Sequence, residues 1–383
     1  MKIIYLIAGT YRPAGMERVL VGKANWLAAH GYDVLIVTTE QRGREPAFQF
    51  APQIRHIDLD VNYETNNGHG FASKLFGYPL RQLRHRRRLS ALLKQEKADV
   101  VVGMFCNEQG FLPRIKDGSR KVLEYHFSRF KRLQYDRKGI WRFADEYLTH
   151  TDLCTVRRFD AFVVLTDEDR GYWEKDAQAA GFALDNIHVI SNPRPFVCGQ
   201  PAPLDGKLVI AVGRYCHQKG FERILEAWKT VKSDASADGW KLWIVGDGED
   251  RAKLQALIDE LGLEGSVRLG RAEEDMKEVY AQASVLAMSS RYEGLPMVLI
   301  ESQSAGVPAV SFACKCGPSD VITDGGDGFL GPEGDEEALS DRLLQLMRDD
   351  QLRKKMGAAA FEAASRYDED TIMQKWVKLF AEL

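Results

Sequence analysis

Short apolar segments alternate with helical segments along the whole chain, and this alternation most constrains the fold. The strand-like runs are rich in β-branched residues, and the segments between them carry apolar residues at helical spacing. Strands that alternate with helices form parallel sheets that helices cover on both faces. We therefore predict an α/β protein. The predicted strands of the first half are 2–8, 33–39, 54–61, 99–105, 121–126 and 161–166, and the first helix is 16–30.

A proline-rich segment divides the alternation into two series. Prolines stand at positions 193, 195, 201 and 203, a composition typical of a domain boundary. We predict an N-terminal domain at 1–192 and a C-terminal domain at 193–367, with a last helix at 368–383 that returns to the first domain. The second series has predicted strands at 207–212, 241–245, 267–269, 284–288 and 309–312, and helices at 219–232, 249–261, 295–305, 335–348, 350–363 and 368–382.

The composition is that of an ordinary globular protein, which excludes disordered and fibrous classes. No run approaches the roughly 18 apolar residues that span a bilayer, and segment 3–9 is too short for a secretory signal, so we expect a cytoplasmic protein. The six cysteines lack the spacing of a zinc site, and we expect buried, reduced thiols. Residues 1–190 carry 29 Lys and Arg against 23 Asp and Glu, whereas the remainder carries 23 against 32, which favours two domains with different partners.

Two segments of the second half carry groups that suit a phosphate. Gly213 follows a predicted strand, and Arg214 and Lys219 bring two cations to the same strand end, as a diphosphate requires. Pro296 begins a predicted helix, whose first turn leaves backbone N–H groups free for an anion. Because ligands bind at the carboxyl ends of parallel strands, we expect both segments to belong to one site.

Glu293 and Glu301 flank this predicted helix start. The helical neighbours of Glu301 are small or apolar, so its carboxylate needs a partner or a ligand rich in hydroxyl groups. From the residues alone, a capping Glu293 and a salt-bridged Glu301 remain an open alternative. Gly246 and Gly248 follow the next strand and are consistent with a simple turn. They do not form the dinucleotide fingerprint, because Arg251 stands in place of the third glycine.

Together these motifs resemble the retaining glycosyltransferases of family 4. The resemblance rests on Glu293 and Glu301 with seven residues between them, the loop 213–220, the glycines at 246 and 248, and the turn 305–308. These motifs cover nearly the whole second half of the chain in the family's order and spacing. The resemblance implies the GT-B fold, in which two Rossmann-like domains with parallel sheets face a central cleft. It also implies that the N-terminal domain binds the acceptor and that the C-terminal domain binds the nucleotide sugar.

The resemblance also implies a role for each motif residue. It implies that Glu293 contacts hydroxyl groups of a donor sugar and that Glu301 binds the ribose of its nucleotide. Arg214 and Lys219 would bind the diphosphate together with the backbone of the helix start. The predicted donor-binding residues are Gly15, Gly213, Arg214, Lys219, Gly246, Arg271, Glu293, Gly294, Leu295 and Glu301, and the predicted catalytic residues are Glu293, His126, Arg214 and Lys219.

The first half resembles the family less closely. Gly15 lies in a segment similar to the family's glycine loop, although both of its neighbours differ, and the resemblance implies that its N–H faces the donor phosphate. His126 ends a predicted strand and is similar to the family histidine near the donor sugar. The alternative is a histidine with a purely structural role. Thr166 also ends a predicted strand, where a ligand could bind, but it is explained equally well as a helix N-cap, with Asp169 completing a capping box.

The implied reaction is transfer of a hexose from a UDP- or GDP-sugar to an acceptor hydroxyl, with retention at the anomeric carbon, in polysaccharide, lipopolysaccharide or glycolipid assembly. It requires no metal or cofactor besides the nucleotide diphosphate sugar as co-substrate, because Arg214, Lys219 and the helix start can stabilise the leaving diphosphate. No carboxylate stands out as a covalent nucleophile. The alternatives are a nucleotide-sugar epimerase of the same fold and a non-catalytic nucleotide-sugar-binding or membrane scaffold protein, and Glu293 favours the enzyme over the scaffold.

Two further motifs of the first half bear on partners. Asp58 and Asp60 match the metal-binding pattern of the other large glycosyltransferase fold, but the two βα series contradict that fold, and we predict structural roles for both. Segment 81–88 carries five arginines, followed by three leucines up to Leu93. This pattern is equally typical of a solvated helix face and of a helix that docks on anionic lipid at the inner face of a membrane. Nucleic acid is disfavoured, since the cluster lacks interleaved aromatic residues.

Overall fold

The computed structural model describes residues 1–63, 71–131, 139–273 and 275–383, and it divides into two compact units. The first unit contains Met1–Leu165, Arg170–Ile190 and Ile372–Leu383, and the second contains Thr166–Asp169 and Ser191–Thr371. Each unit has its own sheet, and every pair of neighbouring strands in these sheets is parallel. The predicted α/β architecture with parallel sheets is confirmed.

The sheet of the first unit has seven strands in the order β3-β2-β1-β4-β5-β6-β7. Both neighbours of β1 are in register with it, so that Ile3 lies opposite Val34 on one side and Val100 on the other. The strand order reverses between β1 and β4, which is where such sheets open a crevice for ligands. The strands are β1 Lys2–Ile7, β2 Asp33–Thr38, β3 Arg55–Asp58, β4 Val100–Gly103, β5 Arg120–Glu124, β6 Ala161–Val164 and β7 Ile187–Val189.

The sheet of the second unit has six strands in the order β10-β9-β8-β11-β12-β13. Its reversal point lies between β8 and β11, which pair through Val285 with Val209 and Leu286 with Ile210. The strands are β8 Leu208–Val212, β9 Lys241–Val245, β10 Val267–Leu269, β11 Val285–Met288, β12 Ala309–Phe312 and β13 Gly328–Gly331.

Twelve α-helices connect or cover these strands in the described part of the chain. They are α1 Gly15–Ala29, α2 Phe71–Glu96, α3 Ile140–Val156, α4 Asp167–Ala179, α5 Phe221–Lys232, α6 Arg251–Glu260, α7 Met276–Gln282, α8 Met297–Ser304, α9 Pro318–Val321, α10 Glu336–Arg348, α11 Asp350–Ala363 and α12 Glu369–Glu382. None of the described helices combines the length and the apolar character that crossing a membrane requires.

Alternate residues of β1 enter two separate cores of the first unit. Tyr5 shares a core with side chains of α1 and α12, whereas Leu6 packs with side chains of α2, α3 and α4 on the opposite face. The period-two alternation of a strand produces this division, since neighbouring side chains point to opposite faces. Helices α2 and α12 therefore cover opposite faces of the same sheet.

The structure differs from the predictions at several elements. Strands β7 and β13 and helices α7 and α9 were not predicted, and Pro296 is the N-cap of α8 rather than its first helical residue. The Thr166 cap is confirmed, because the Asp169 amide donates to Thr166 Oγ1 at 3.2 Å. All six cysteines are free, but only Cys216, Cys314 and Cys316 are buried.

The start of α4 groups with the second unit, which no sequence signal indicated. The Asp167 amide donates to Asp320 Oδ1 at 2.8 Å, and the Cys316 thiol donates to Asp169 Oδ1 at 3.3 Å. Asp320 therefore satisfies a backbone N–H that the first turn of α4 leaves without an intrahelical acceptor. Burial raises the pKa of Asp320, although the hydrogen bonds from the amides of Asp167 and Glu168 oppose the shift.

Helix α12 is part of the core of the first unit, so its packing should be measurable as stability. Trp376 is 1% exposed, and Trp376→Ala should lower the stability of this unit by about 3–5 kcal/mol, the usual loss for a buried aromatic side chain. Urea unfolding, monitored by hydrogen exchange of the amides of β1 to β5, measures the loss. Gln374→Ala, on the exposed face of the same helix, should change it by less than about 0.5 kcal/mol. Equal stabilities for the two variants would contradict the packing role.

Candidate active site

The predicted phosphate-binding segments follow the two strands at the reversal point of the second sheet. The loop that begins at Gly213 follows β8, and the segment from Ser289 to the start of α8 follows β11. These strands are direct neighbours and parallel, so both loops leave the sheet at the same edge. The fold therefore places the two segments side by side, as the sequence predicted.

A backbone contact joins the loop after β8 to the loop after β9. The Gly213 amide donates to Val245 O at 3.0 Å, and the Tyr215 amide donates to Asp247 O at 2.8 Å. A side chain at Gly246 would place its Cβ 1.9 Å from Gly213 O, and one at Gly248 would place it 2.4 Å from Tyr215 O. Glycine is required at both positions because another backbone occupies the space of a side chain. The pair is more than the simple turn that the sequence allowed.

Lys219 and Glu293 form an ion pair between the two segments. Lys219 Nζ lies 2.7 Å from Glu293 Oε1, and Glu293 is 6% exposed. Burial disfavours the charge on Lys219, but the Glu293 carboxylate outweighs this effect, and the net pKa of Lys219 is raised. The contact with Glu293 thus favours the charged form of Lys219 at the edge of the sheet.

Further hydrogen bonds fix the segment after β11 against the loop after β8. The Ser289 hydroxyl lies 2.8 Å from Gly220 O, the Arg291 amide donates to Gln218 O at 2.9 Å, and the Gln218 side chain donates to Tyr292 O at 3.0 Å. Gly220 has φ +61°, and a Cβ there would lie 2.6 Å from Ser289 O. These contacts set the position of the Lys219–Glu293 pair. Sequence reasoning missed Ser289 and Gln218, although polar residues directly after strands signal such contacts.

Glu301 is half-buried on α8, and its partner comes from an unpredicted helix. Tyr280 Oη of α7 lies 3.0 Å from Glu301 Oε2 and 3.2 Å from Val298 O. Burial, and then the Glu301 carboxylate, raise the pKa of Tyr280 well above its usual value. Asp275, whose side chain caps α7 by accepting from the Lys277 amide, was the sequence signal for this helix.

The remaining predicted residues of the second unit lie at neighbouring strand ends. Arg214 follows β8 and Arg271 follows β10, and both side chains are exposed. Gly294 and Leu295 directly precede the N-cap of α8. Arg251, which stands in place of a third fingerprint glycine, donates to Gly270 O at 2.7 Å and so closes the end of β10.

Gly15 and His126 belong to the first unit, at the same edge of its sheet. Gly15 is the first residue of α1, and His126 lies two residues after β5 ends. His126 Nε2 lies 3.1 Å from Glu124 Oε1, and Glu124 also pairs with Lys23 of α1 at 2.6 Å. Sequence reasoning missed Lys23 and Glu124. Their signal was a charged residue within an apolar helical pattern and another within an apolar strand.

Asp58 and Asp60 have hydrogen-bond or ion-pair partners within the protein. Asp58 accepts from the Thr38 hydroxyl at 3.1 Å and from the Arg42 amide at 3.0 Å, while Arg84 lies 3.4 Å from Asp60. These contacts agree with the structural roles predicted for both carboxylates. In the described ranges, no group of three or more His, Cys, Asp and Glu side chains is arranged to hold a metal ion.

Comparison with known proteins identifies the family. Residues 13–194 match the model of glycosyltransferase family 4, and residues 199–363 match that of the glycosyl transferases group 1. The chain is 38% identical to the amylovoran biosynthesis glycosyltransferase AmsD of Erwinia amylovora, over 98% of each chain. The chain belongs to the family 4 glycosyltransferases. The resemblance seen in the sequence is confirmed.

More distant relatives and structures agree with this assignment. The chain is 28% identical to an α-1,4-N-acetyl-D-galactosaminyltransferase of Campylobacter jejuni that acts on an undecaprenol-linked glycan, over 100% of this chain and 99% of that protein. The fold of the present chain is similar to that of Anabaena HepE in complex with UDP, with a TM-score of 0.74 and 17% identity over 100% of both chains. The GT-B fold class that the resemblance implied is confirmed.

Gly246→Ala tests whether the backbone contact assembles the site. The added methyl group would overlap Gly213 O, so the two loops must separate, and we expect a loss of at least about 2 kcal/mol of stability in the second unit together with loss of nucleotide binding. Thermal unfolding and calorimetric titration with UDP and GDP measure the two effects. Gly265→Ala, which meets no atom within 4 Å, is the matched control. Wild-type binding by the Gly246 variant would show that the contact is dispensable.

Proposed function

We propose that the protein is a retaining hexosyltransferase that uses a nucleotide diphosphate sugar and transfers the sugar to an acceptor hydroxyl. The observation that carries the proposal is the Lys219–Glu293 ion pair beside the start of α8, with a buried carboxylate and a partly exposed ammonium-bearing side chain. A donor that contains both a diphosphate and a sugar needs a cation and a hydroxyl-binding carboxylate close together, and this pair supplies both groups. Family membership supports the same reaction class.

Each residue then acts on the donor according to its chemistry. Lys219 and Arg214 bind the diphosphate and stabilise the negative charge that develops as the glycosidic bond breaks. The amides near Gly294 and Leu295 add donors at the helix start. Glu293 accepts hydrogen bonds from sugar hydroxyls, and Glu301, held by Tyr280, accepts those of the ribose.

The donor and acceptor classes are proposed from the relatives. The Anabaena neighbour is in complex with UDP, which supports UDP as the nucleotide, with GDP as the alternative. We assign exposed Arg271, which follows β10, to contacts near the base. The two relatives are named for amylovoran biosynthesis and for transfer to an undecaprenol-linked glycan, which supports a saccharide acceptor in polysaccharide or lipopolysaccharide assembly. The full-length match to transferases favours this reaction over epimerisation or a scaffold role.

Glu293→Gln and Lys219→Met should each lower kcat at least 100-fold while the fold is retained. The first removes the anion but keeps the shape of the side chain, and the second removes the cation that the diphosphate requires. Transfer from a panel of UDP- and GDP-sugars, first selected by thermal shift, measures the effect, with circular dichroism to verify folding. We expect EDTA to leave the wild-type rate unchanged.

Glu278→Gln, at an exposed carboxylate of α7, is the matched control and should keep the wild-type rate. Full activity of either variant at the ion pair would refute the assignment of that residue. Hydrolysis or epimerisation of the nucleotide sugar without transfer would instead favour the epimerase alternative.

We also propose that α2 docks on anionic lipid, which suits a lipid-linked acceptor. Leu89 and Leu93 of this helix are fully buried, whereas Leu80 is 69% exposed and Leu83 is 45% exposed. Exposed Arg84 and Arg87 lie four residues after the two exposed leucines, and exposed Arg86 lies three residues after Leu83. Apolar and cationic side chains therefore share one outward face. Such a face binds a negatively charged membrane surface through both contributions.

Flotation with liposomes tests this surface. The wild type should float with vesicles that contain 30% phosphatidylglycerol, as about 1 kcal/mol per basic residue is available near such a surface, and Arg86→Glu/Arg87→Glu should remain unbound. Lys375→Glu/Lys378→Glu, on α12 at the opposite face of the sheet, changes the charge equally and should still float. Equal flotation of both variants would refute the proposed surface.

A further inference from the structure

A buried ion pair in the first unit contacts His126 through one of its two residues. Lys23 Nζ lies 2.7 Å from Glu124 Oε1 and 2.6 Å from Oε2, and both residues are 1% exposed. Burial raises the pKa of Glu124, but Lys23 and then His126 outweigh it and hold this pKa at about 2. Glu124 is therefore an anion in the core of the unit.

Lys23 holds the carboxylate of Glu124 and is itself held by two aromatic rings. Lys23 bridges both of its oxygens, and the ammonium group of Lys23 lies 3.8 Å from the ring centre of Trp376 and 5.5 Å from that of Tyr5. Aromatic faces attract a cation, so the two rings fix the position of Lys23. Trp376 comes from α12, and the C-terminal helix thus helps to place Glu124.

Glu124 in turn contacts the imidazole. Residues 124 and 126 are two positions apart where β5 ends, and Glu124 Oε1 lies 3.1 Å from His126 Nε2. Nε2 has no partner with hydrogen-bonding geometry in the described residues, so this contact is mainly electrostatic. A nitrogen lone pair at that distance would repel the carboxylate. A ring with a single proton is therefore favoured with that proton on Nε2 and with Nδ1 as the acceptor.

Stability alone is a weak reason for this arrangement. A fully buried ion pair contributes little compared with well-packed apolar side chains, because both charges lose their hydration. An ordered carboxylate, by contrast, fixes the orientation and tautomer of a histidine that it contacts, as supporting residues do in other sites. Burial raises the pKa of Glu17 of α1, and His126 is among the groups that oppose this shift.

We infer that Lys23 and Glu124 are positioning residues that fix the orientation and tautomer of His126. The inference rests on the proposed transfer reaction, in which His126 takes the role that the family resemblance implies. Lys23 fixes Glu124, Glu124 directs the Nε2–H of His126 inward, and Nδ1 remains for the substrate. Trp376 supports the arrangement through Lys23.

The experiment compares Lys23→Met/Glu124→Gln, His126→Ala and the triple variant with the wild type. The double variant removes both charges together, so that no unpaired charge remains in the core. We expect its kcat to fall about 10- to 100-fold, with the donor KM changed less than threefold. The triple variant should be no slower than His126→Ala, because the pair acts only through the imidazole.

Nitrogen-15 NMR of the His126 side chain provides a readout that does not depend on catalysis. The wild type should show a single tautomer with the proton on Nε2, and the double variant should show a mixture. If the wild type transfers sugar from no donor, the proposed function fails, while the spectra still decide the roles of Lys23 and Glu124. Wild-type kcat and an unchanged tautomer in the double variant would overturn the inference.

Glu124→Asp is the second variant, for use if the double variant does not fold. It keeps the charge balance with Lys23 but withdraws the carboxylate from the ring by one methylene group. We expect a lower kcat with a donor KM near the wild-type value, and altered His126 resonances. Unchanged resonances and an unchanged kcat would also overturn the inference.

Discussion

The backbone contact between the loops after β8 and β9 is the constraint on which the candidate active site depends. Gly213 and Tyr215 extend the ladder of the parallel sheet beyond the ends of the strands by bonding to Val245 and Asp247. The loop after β8 is thereby held against the end of β9, and Lys219 of the same loop contacts Glu293 of the segment that follows β11. Without glycine at 246 the two loops could not approach this closely, and the Lys219–Glu293 pair would lose its support.

The fold could be predicted from the sequence where strands were regular and buried. The strand 241–245 was predicted to the residue, because an apolar run of β-branched and aromatic residues has no competing interpretation there. Strand β13 was missed because two of its four residues are glycine, which gives neither periodicity nor β propensity. Strand β7 has only three residues, and its hydrogen-bonded place beside β6 is a property of the sheet rather than of its own sequence.

The candidate site could be predicted as a set of residue types but not as a set of contacts. Glu293 and Lys219 were predicted to bind different parts of a ligand, and their ion pair joins positions 74 residues apart, which no local pattern reveals. Glu301 was identified as a carboxylate that needs a partner, yet Tyr280 lies on a helix of only seven residues. The role of Lys23 was hidden because a long side chain on an apolar helix face can also reach solvent, and only the packing of α12 closes that route.

The Lys23–Glu124 and Lys219–Glu293 ion pairs differ in how accessible their charges are, and this difference follows from what surrounds them. Lys23 and Glu124 are enclosed by aromatic and apolar side chains, so neither charge can exchange its partner. The Lys219 side chain keeps 18% of its surface exposed at the sheet edge, so an arriving anion can reach the ammonium group. In the proposed reaction, a diphosphate would compete with Glu293 for Lys219 and leave the carboxylate available to sugar hydroxyls. A fixed pair thus suits the orientation of a neighbouring ring, whereas an accessible pair suits the binding of a charged substrate.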